Sequence, residues 1–330
     1  ENNTLNSNYS FEIDTKSFND YALLPNDPEF NKQWHLFNTG QAGGVGNMDI
    51  LMPEAWGIVN SSPEIVVAVI DDGVDYEHED LKNNIWINSG EIPGNNEDDD
   101  GNKYKDDVRG WDFINNHNDP MPSKVKRENG TYINDHGTHV AGIIGAEGNN
   151  NIGITGMSWN VKLMPLRVLG NGGLDEHIYD AIRYAADNGA NIINLSLGAV
   201  PGLYEAEKHF EETGNIEEAY QKLIPGSFDE WKKAYPIWYQ NYYDALKYAS
   251  DKGVVIVVAM GNDSLEARYG AEGRKLGNTD IFTSLPADFS EEIPGLISVV
   301  AINNKGDKSN FSSYGSKASI AAPGGEGSGN

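Results

Sequence analysis

The sequence predicts an α/β domain with a doubly wound, mostly parallel sheet and helices on both faces. Apolar runs rich in β-branched residues alternate with helical patterns, and polar or glycine-containing turns separate them. Strands that alternate with helices pair in parallel through right-handed crossovers. The predicted strands are residues 64–70, 163–169, 191–197, 254–260 and 296–301, and the predicted helices are a segment starting at Asp135 and residues 177–188 and 239–251.

Each element has its own sequence signal. Residues 64–70, EIVVAVI, are almost continuously apolar, which is typical of a strand buried on both faces. Asp135 is a predicted N-cap, and the small residues that follow it allow a helix to pack closely on a sheet. The helix over 177–188 ends before Gly189, and its apolar face consists of Ile178, Ala181, Ile182 and Ala185.

The 330 residues are enough for one large domain with a well-buried core. We expect this domain to cover residues 25–330. Residues 1–24 are rich in Asn and Ser and are interpreted as a loose arm, or as the remnant of a processed pro-segment. Residues 82–131 form a long polar loop region with a dense acidic stretch, and residues 199–238 form an acidic, aromatic-rich helical insertion.

Composition excludes several classes of function. The chain has no cysteine, which excludes disulfides, thiolate catalysis and cysteine zinc sites. The formal net charge of -26 disfavours nucleic acids and anionic membranes as partners, because phosphate groups would be repelled. No run of eighteen apolar residues predicts a membrane span, and the first residues do not resemble a signal peptide. The clustered acids instead suit hard cations such as Ca²⁺.

Three polar residues are candidates for hydrolytic catalysis. Asp71 ends a buried strand, His136 starts a helix and Asn262 follows a strand, so we expect all three near the carboxyl edge of the sheet. Hydrolysis by a hydroxyl nucleophile needs a base, a carboxylate that orients the base and a donor for the oxyanion. Each residue taken alone also fits a structural role: Asp71 that of a turn or cap residue, His136 that of a packing residue and Asn262 that of a residue in a Gly-Asn turn.

The sequence around these residues resembles the subtilase family of serine peptidases. Four segments carry the resemblance in the family's order: VAVIDDGVD (67–75) its aspartate motif, NDHGTHVAG (134–142) its histidine motif, INLSLG (193–198) its substrate-binding strand and VVAMGN (257–262) its oxyanion segment. The match runs from about Asp27 to Gly325. It implies a subtilisin-like fold and a secreted endopeptidase acting on protein or peptide substrates.

The resemblance implies a role for each candidate. Asp71 orients and supports His136, which acts as general base and then as acid, and Asn262 donates its side-chain amide to the oxyanion. Asp72 is the alternative orienting carboxylate; we favour Asp71, because the family places a small or acidic residue directly after the catalytic aspartate. His139 is interpreted as a packing residue. The remaining histidines lie in no motif and are interpreted as surface residues: His35, His78, His117, His177 and His209.

The resemblance also implies that the substrate binds as an added strand. An ordinary loop is the alternative interpretation of the segments involved. The 199–238 insertion leaves directly from one of them, and our hypothesis is that it forms an acidic helical lid over the non-prime subsites. The predicted substrate-binding residues are Leu169, Gly170, Ser196, Leu197, Gly198, Ala259 and Gly261.

The family's serine motif, Gly-Thr-Ser-Met-Ala at the start of a helix, is absent from residues 1–330. Residues 320–325 resemble the segment shortly before that motif. Ser284 lacks the preceding glycine and precedes residues that resemble a wall of the S1 pocket, and Ser328 lies in a glycine-rich tail, so neither is interpreted as the nucleophile. We therefore expect a fold that lacks its C-terminal nucleophile helix and a chain that is inactive alone.

Three explanations for the absent serine stay open: a nicked enzyme, a truncation and a non-catalytic fragment. The first is favoured, because a domain without its last helices would expose a large apolar face. Its companion would be a C-terminal fragment that carries the serine. A propeptide inhibitor is a further candidate partner.

Two calcium sites are predicted. The first resembles the family's high-affinity site, in which a carboxylate, an Asn side chain and loop carbonyls wrap one ion; its ligands would be Asp27, Asp80, Gly148, Asn150, Ile152 and Ile154. The second is predicted from alternating oxygen-bearing side chains: Asp98, Asp100, Asn102 and Asp106. The latter is not an EF-hand, because Gly101 falls at position four and Arg109 replaces the closing Glu. A polar turn and a solvated acidic loop are the alternatives.

The function favoured by the sequence is a calcium-dependent subtilisin-like serine endopeptidase with an Asp-His-Ser triad. This chain would contribute the Asp, the His and the oxyanion Asn. The alternative is a non-catalytic binding protein on the same fold. A calcium-binding structural module is a third hypothesis, but it does not account for the histidine segment.

Overall fold

The structure, a computed structural model, describes residues 22–123, 135–170, 173–215, 218–219, 222, 226–264, 266, 270, 274–275 and 277–326. Its strands are β1 (Val66–Asp71), β2 (Trp111–Asp112), β3 (Lys162–Arg167), β4 (Ile192–Leu195), β5 (Val255–Ala259), β6 (Leu296–Ile302) and β7 (Ile320–Pro323). They form one parallel sheet in the order β2-β3-β1-β4-β5-β6-β7. The doubly wound parallel sheet predicted from the sequence is confirmed.

The helices occupy the connections between strands. They are α1 (Met52–Trp56), α2 (His136–Gly145), α3 (Asp175–Asp187), α4 (Leu203–Thr213), α5 (Phe228–Ala234) and α6 (Pro236–Asp251), and short 3-10 helices cover Phe30–Lys32, Gln41–Gly43 and Ala287–Glu291. None of the described helices is both long and apolar enough to cross a membrane. The sequence missed β2 and β7, because two- and four-residue edge strands carry too little periodicity to be recognised.

Alternate residues of the strands face two separate hydrophobic cores. On one face, Val67, Val69 and Leu163 pack against Val140 and Ala141 of α2. On the other face, Ala68, Ile70, Met164 and Leu166 lie in a cluster with the apolar residues of α3 and α6. Helices therefore cover both faces of the sheet around β1 and β3, as expected for parallel strands.

The face that carries α2 is only partly covered over β4, β5 and β6. The pairing of Asn194 with Val257 and of Val257 with Ile297 assigns one set of residues to that face. Members of this set are partly exposed, and Val255 is 37% exposed, whereas residues of the opposite set such as Ile193 and Val258 are buried. The partly exposed set is Ile192, Asn194, Val255, Val257, Ala259, Ile297, Val299 and Ala301.

The 199–238 insertion forms α4, α5 and the start of α6. Its second half belongs to the core: Phe228 and Trp231 of α5 are buried, and both rings contact Phe289 beside the sheet. The Lys232 ammonium also pairs with Glu292 at 2.7 Å. The lid hypothesis is therefore wrong for α5, which stabilises the domain, and is restricted to α4.

Candidate active site

The end of β1 and the start of α2 bring Asp71 and His136 together. His136 Nδ1 lies 2.8 Å from Asp71 Oδ1 and 2.9 Å from Oδ2. The carboxylate is fully buried, whereas the His136 side chain is 55% exposed. An imidazole that donates through Nδ1 keeps Nε2 as its acceptor, so the buried carboxylate selects the tautomer that can take a proton from a neighbouring group.

Two glycines allow this close approach. A Cβ on Gly137 would lie 2.3 Å from the carbonyl oxygen of Gly73 and 2.9 Å from Asp71 Cβ. Gly73 itself has φ +108°, in the region that favours glycine, and a Cβ there would lie 2.7 Å from the carbonyl oxygen of Pro120. The glycines that follow Asp71 and His136 in the motifs are therefore steric requirements of the pair.

Asp72 caps the helix that carries His136. Its carboxylate accepts hydrogen bonds from the backbone amides of Gly137, at 2.7 Å, and His136, at 3.3 Å. Asp135, the N-cap predicted from the sequence, makes no side-chain capping bond. Since Asp71 and not Asp72 bonds the imidazole, the alternative of Asp72 as the orienting carboxylate is not supported.

Electrostatics favour the protonated form of His136. The hydrogen bond to Asp71 raises the pKa of His136 above its ordinary value, against the lowering effect of burial. The charges of Asp71, Asp72 and Asp135 act in the same direction as the hydrogen bond. Burial raises the pKa of Asp72, which its bond to the Gly137 amide partly offsets. The site is therefore organised to stabilise an imidazolium.

Asn262 lies at the same edge of the sheet, in the turn after β5. In the sheet β1 neighbours β4 and β4 neighbours β5, and adjacent strands are about 4.8 Å apart. Gly261 turns the chain with φ +111°, and its carbonyl accepts a bond of 2.9 Å from the Ser313 amide. The Asn262 side chain is exposed rather than packed away, so its amide is available to a ligand.

The segments predicted to bind substrate flank this edge. Leu169 and Gly170 follow β3, and the amide of Leu169 donates to the Asp71 carbonyl at 3.1 Å. Ser196, Leu197 and Gly198 follow β4, and Ala259 and Gly261 end β5 and begin its turn. Residues 171–172, which follow Gly170 and were also expected to lie along the substrate, are outside the described residues.

The 283–286 segment lies beside the predicted substrate segment after β4 and does not supply a free serine hydroxyl. Leu285 pairs with Ala199 through two backbone hydrogen bonds of 3.0 Å, directly after Gly198. Ser284 is buried, and its hydroxyl donates to the Met260 carbonyl at 2.8 Å. That serine is therefore committed to structure, while Ser328 lies outside the described residues.

The residues of the first predicted calcium site converge. Asp27 and Asp80 are buried and both meet the 148–154 loop. The Asn150 amide nitrogens join them, since the backbone N lies 3.3 Å from Asp27 Oδ1 and Nδ2 lies 2.9 Å from Asp80 Oδ1. Burial raises the pKa of Asp80, and the charge of Asp27 adds to this effect.

The rest of the 148–154 loop is shaped around these carboxylates. The Ile154 amide donates to Asp80 at 3.1 Å and the Ile152 amide donates to the Asn150 side chain at 2.7 Å. Gly148 packs against Trp159, where a Cβ would lie 2.3 Å from the ring. Two buried carboxylates that meet at one loop are oxygen ligands of the kind that a hard cation such as Ca²⁺ prefers.

The acidic loop is arranged differently from its predicted ligand set. Carboxylate oxygens of Glu91, Asp100 and Asp107 lie within 4.8 Å of one another. Asp98 instead accepts from the amides of its own loop, including Gly101 at 2.7 Å. Of the predicted ligands, only Asp100 belongs to the group that the described residues form.

Two further predicted ligands of this loop also have other partners. Asp106 accepts from the Gly94 amide at 2.8 Å, and the side-chain amide of Asn102 donates to Asp107 at 2.9 Å. Glu91 and Asp107 were missed because neither follows the alternating spacing. Burial of Glu91 and the bond from Tyr184 to Asp107 are tertiary features without a local sequence signal.

Two histidines differ from their predicted surroundings. His35 was expected at the surface, but its Nε2 is buried, and burial together with the nearby His139 lowers the pKa of His35 to about 4. His139 was expected to pack and is exposed. Neither residue contacts the Asp71 carboxylate, so the pair formed with His136 remains the centre of the site.

Comparison with known proteins decides the family. The model described as the subtilase family matches residues 62–330. The chain belongs to the subtilase family. It is 31% identical over 299 residues to the thermophilic serine proteinase of Bacillus sp. (strain AK1), and the match covers 89% of this chain and 53% of the relative. It is 30% identical over 302 residues to thermitase of Thermoactinomyces vulgaris, covering 91% of this chain and 73% of the relative.

A solved protease structure has the same fold. The Pseudoalteromonas arctica PAMC 21717 protease is 27% identical, with a TM-score of 0.56, and the match covers 92% of this chain and 73% of the other. The chain spans about half the length of the Bacillus proteinase. The family resemblance seen in the four motifs is thus confirmed over most of the domain.

Proposed function

We propose that this subtilase chain supplies the acid, the base and the oxyanion donor of a serine endopeptidase. The observation that carries the proposal is the 2.8 Å contact between His136 Nδ1 and the buried Asp71 carboxylate at the carboxyl edge of the sheet. Ligands of open parallel sheets bind at this edge. An exposed imidazole with a fixed tautomer is what a hydroxyl nucleophile needs as its base.

The reaction follows from the roles of the three groups. His136 Nε2 takes the proton of a serine hydroxyl while the serine oxygen bonds to the peptide carbonyl carbon, and Asp71 stabilises the imidazolium. The Asn262 amide donates to the oxyanion of the tetrahedral intermediate. His136 then returns the proton to the leaving amine, and the acyl group stays on the serine oxygen as an ester. Water takes the place of the amine, with His136 again as base and then as acid, and the acyl group is released as a carboxylic acid.

The nucleophile in this proposal is a serine outside residues 1–330. The partly exposed set on β4, β5 and β6, which is apolar except for Asn194, supports this placement, since parallel strands are normally covered on both faces. A helix that packed there would lie beside α2 and would begin at the edge that holds His136. We propose that the helix carrying the serine covers this face, from the same polypeptide or from a companion fragment.

Calcium is the second part of the proposal. Asp27, Asp80 and the 148–154 loop would hold one Ca²⁺, which would neutralise two buried carboxylates and stabilise the loop at the end of α2. A calcium site in the acidic loop stays a prediction. Dependence on Ca²⁺ suits an extracellular enzyme, since extracellular calcium modules bind their ion with dissociation constants of about 10⁻⁴–10⁻³ M.

A fluorophosphonate probe tests the catalytic proposal. The protein produced from its complete gene is labelled, and the modified peptide is identified by mass spectrometry under denaturing conditions. We expect the label on a serine outside residues 1–330, lost in His136→Ala and retained in His209→Ala, a partly buried histidine of α4 that pairs with Glu218. Absence of label on the folded wild-type protein, or label that survives His136→Ala, would overturn the proposal.

A further inference from the structure

A basic cavity of about 570 Å³ lies at the edge of the sheet where β3 begins. Three of its lining residues are cationic, Lys82, Arg109 and Lys162, and one, Glu77, is acidic. These residues give the walls a formal charge of +2, three positive charges minus one, in a chain whose net charge is -26. A cleft lined by one sign of charge raises the local concentration of ions of the opposite sign, so this cavity favours an anion.

The walls of the basic cavity are joined by backbone pairing. Residues 82–87 lie beside β3 and are held there by Leu163, which directly follows Lys162. The Leu163 amide donates to the Asn84 carbonyl, and the Leu163 carbonyl accepts from the Trp86 amide, both at 2.7 Å. The cavity is therefore a fixed feature of the sheet edge and not a gap between independent loops.

The Arg109 guanidinium is held in place by its neighbours. Its Cζ lies 5.3 Å from the ring centre of Tyr76, within the range of a cation–π contact. The Tyr76 hydroxyl donates to Asp119 at 3.0 Å, which fixes the ring. The backbone is also tied, since the carbonyl of the preceding Val108 accepts from the Asn88 amide at 2.9 Å. A guanidinium that lies over a ring can still present its N–H groups to an anion as a bidentate fork.

The cations of the basic cavity have no acidic partner in the part of the chain that the structure describes. None of the three forms an ion pair there. Two acids nearby are bonded to other groups, since Asp119 accepts from Tyr76 and Glu147 accepts from the Asn83 side-chain amide at 2.6 Å. The positive charge is thus available to a ligand.

A second cavity, of about 290 Å³, shows the opposite arrangement. It is lined by Lys232 and Lys317 together with several acids. Each ammonium group contacts a carboxylate, Glu292 at 2.7 Å for Lys232 and Asp288 at 3.3 Å for Lys317. The chain therefore neutralises its cations in one cavity and leaves them unneutralised in the other.

The basic cavity also has an apolar wall. Ile85 and Ile87 line it, and Ile87 is 51% exposed. Its volume falls in the range of small-molecule sites, about 300–1,000 Å³. An inorganic ion alone would leave most of this space and the apolar wall unused. The cavity therefore suits an anionic group that is joined to a small organic body.

The basic cavity is separate from the candidate active site. Lys162 begins β3, and Leu169 of the predicted substrate segment follows the end of that strand. At about 3.3 Å per residue, about 20 Å of chain separates these two residues. Neither Asp71 nor His136 lines the cavity. A ligand held there would not occupy the position of the reacting peptide.

We propose that the basic cavity binds a small phosphate or sulfate monoester that is free in solution. Its anionic group lies between the Arg109 fork and the ammonium groups of Lys82 and Lys162, and its organic body lies against Ile87. The net charge of -26 repels polyanions and anionic membranes, which favours a compact ligand over a polymer or a lipid surface. This site does not depend on the proposed protease function.

Isothermal titration calorimetry with phenyl phosphate tests the site in the protein produced from its complete gene. We expect Arg109→Gln and Lys162→Gln each to weaken binding about tenfold, because each removes a charge-assisted hydrogen bond. Lys105→Gln is the matched control. It removes the same charge from an exposed residue that does not line the cavity, and it should change the dissociation constant by less than about twofold.

Folding is checked separately from binding. Circular dichroism is recorded for every variant, and Lys162→Arg keeps the charge at the start of β3. We expect Lys162→Arg to bind phenyl phosphate within about threefold of wild type, so that loss of binding in Lys162→Gln is assigned to the charge and not to the strand.

Further probes define the ligand. Phenol lacks the anionic group and inorganic sulfate lacks the organic body, and we expect each to bind at least about tenfold more weakly than phenyl phosphate. Vesicles of phosphatidic acid in phosphatidylcholine present a phosphate monoester on a lipid surface. We expect the protein not to sediment with them.

Each contrary result overturns a stated part of the proposal. Absence of phenyl phosphate binding, or equal binding by wild type and Arg109→Gln, overturns the site. Phenol binding as tight as that of phenyl phosphate overturns the anionic group, and equally tight sulfate binding overturns the organic body. Sedimentation with the phosphatidic acid vesicles that is lost in Arg109→Gln overturns the assignment to a free ligand.

Discussion

The Asp72 carboxylate accepts a 2.7 Å hydrogen bond from the Gly137 amide, so the residue after Asp71 holds the end of the helix that carries His136. The last residue of β1 and the residue after it thus have separate tasks: Asp71 bonds the imidazole and Asp72 anchors its backbone. The pair is fixed from two directions, through the side chain and through the main chain of His136.

Replacement of Asp72 tests this anchor. Asp72→Ala removes the acceptor for two amides and should lower the free energy of unfolding by about 1–2 kcal/mol, whereas Asp72→Asn should lose less because its oxygen still accepts. Asp135→Ala is the matched control and should change stability by less than about 0.5 kcal/mol, since Asp135 makes no capping bond. Urea unfolding measures all three; a larger effect at Asp135 than at Asp72 would contradict the assignment.

Replacement of Asp71 should leave the protein folded and nearly inactive. In Asp71→Asn the side-chain N–H₂ can face His136 Nδ1 as a donor, which stabilises the wrong tautomer; such a change lowers kcat about 10⁴-fold in a serine protease triad. The measurement is kcat on a peptide substrate in the complete enzyme, with circular dichroism as the check on folding. Retention of more than about a tenth of the activity would argue against Asp71 as the orienting group.

The pH profile should reflect the raised pKa of His136. The base must be neutral, so kcat/KM should fall as pH decreases through a value above 6.5, and Asp71→Asn should move this limb to lower pH. Stability depends on pH in the opposite direction. The bond to protonated His136 contributes its full stabilisation below pH 6.5, and this contribution is lost as pH rises through the pKa of the folded state. NMR titration of the imidazole checks both statements, and a folded pKa below 6.5 would exclude them.

Residues with local signals could be predicted from the sequence, and residues with tertiary partners could not. The strand at 64–70 and the helix after Asp135 have uninterrupted apolar or small-residue patterns, and their observed bounds, Val66–Asp71 and His136–Gly145, differ by no more than two residues. The meeting of Asp71 with His136 followed from the edge rule for parallel strands together with the family motifs.

The cap on α2 shows why the rest could not be predicted. Asp135 precedes the helix in sequence and satisfies every local rule, but a carboxylate 65 residues before Gly137 takes its place. The same applies to α5, whose acidic surface suggested a lid, although Trp231 is fully buried against Phe289. In both cases long-range packing overrides a valid local preference.

Removal of calcium should lower stability through the Asp27–Asp80 site. An ion present at about 100 times its dissociation constant contributes about 2.7 kcal/mol, so EGTA should lower the unfolding midpoint measurably. The double variant Asp27→Asn, Asp80→Asn should be less sensitive to EGTA, because its buried carboxylates no longer repel each other. Asp244→Asn, an exposed acid on α6, should keep the sensitivity of the wild type, and an EGTA effect equal in all three proteins would exclude this site.

Asp288 should make stability depend on pH in the opposite sense to an ordinary acid. It is buried, accepts a 2.9 Å bond from the Ser284 amide and lies 3.3 Å from Lys317 Nζ. Burial raises its pKa from 3.8 to about 6, although Lys317 acts against this shift. The folded state then binds more protons than the unfolded state between these values, so this residue destabilises the fold progressively as pH rises from about 4 to about 6.

Asp288→Asn cannot ionise and therefore removes this pH dependence. At about 1.4 kcal/mol for each pKa unit, the free energy of unfolding of the variant relative to wild type should rise by about 3 kcal/mol between pH 3 and pH 7. Urea unfolding at several pH values measures the difference. For Asp244→Asn, the free energy of unfolding relative to wild type should not change with pH. If the free energy of unfolding of Asp288→Asn relative to wild type also stayed constant with pH, the Lys317 ammonium would compensate the buried carboxylate in full. Ser284, which bonds both Asp288 and the Met260 carbonyl, would then be held equally firmly at either pH.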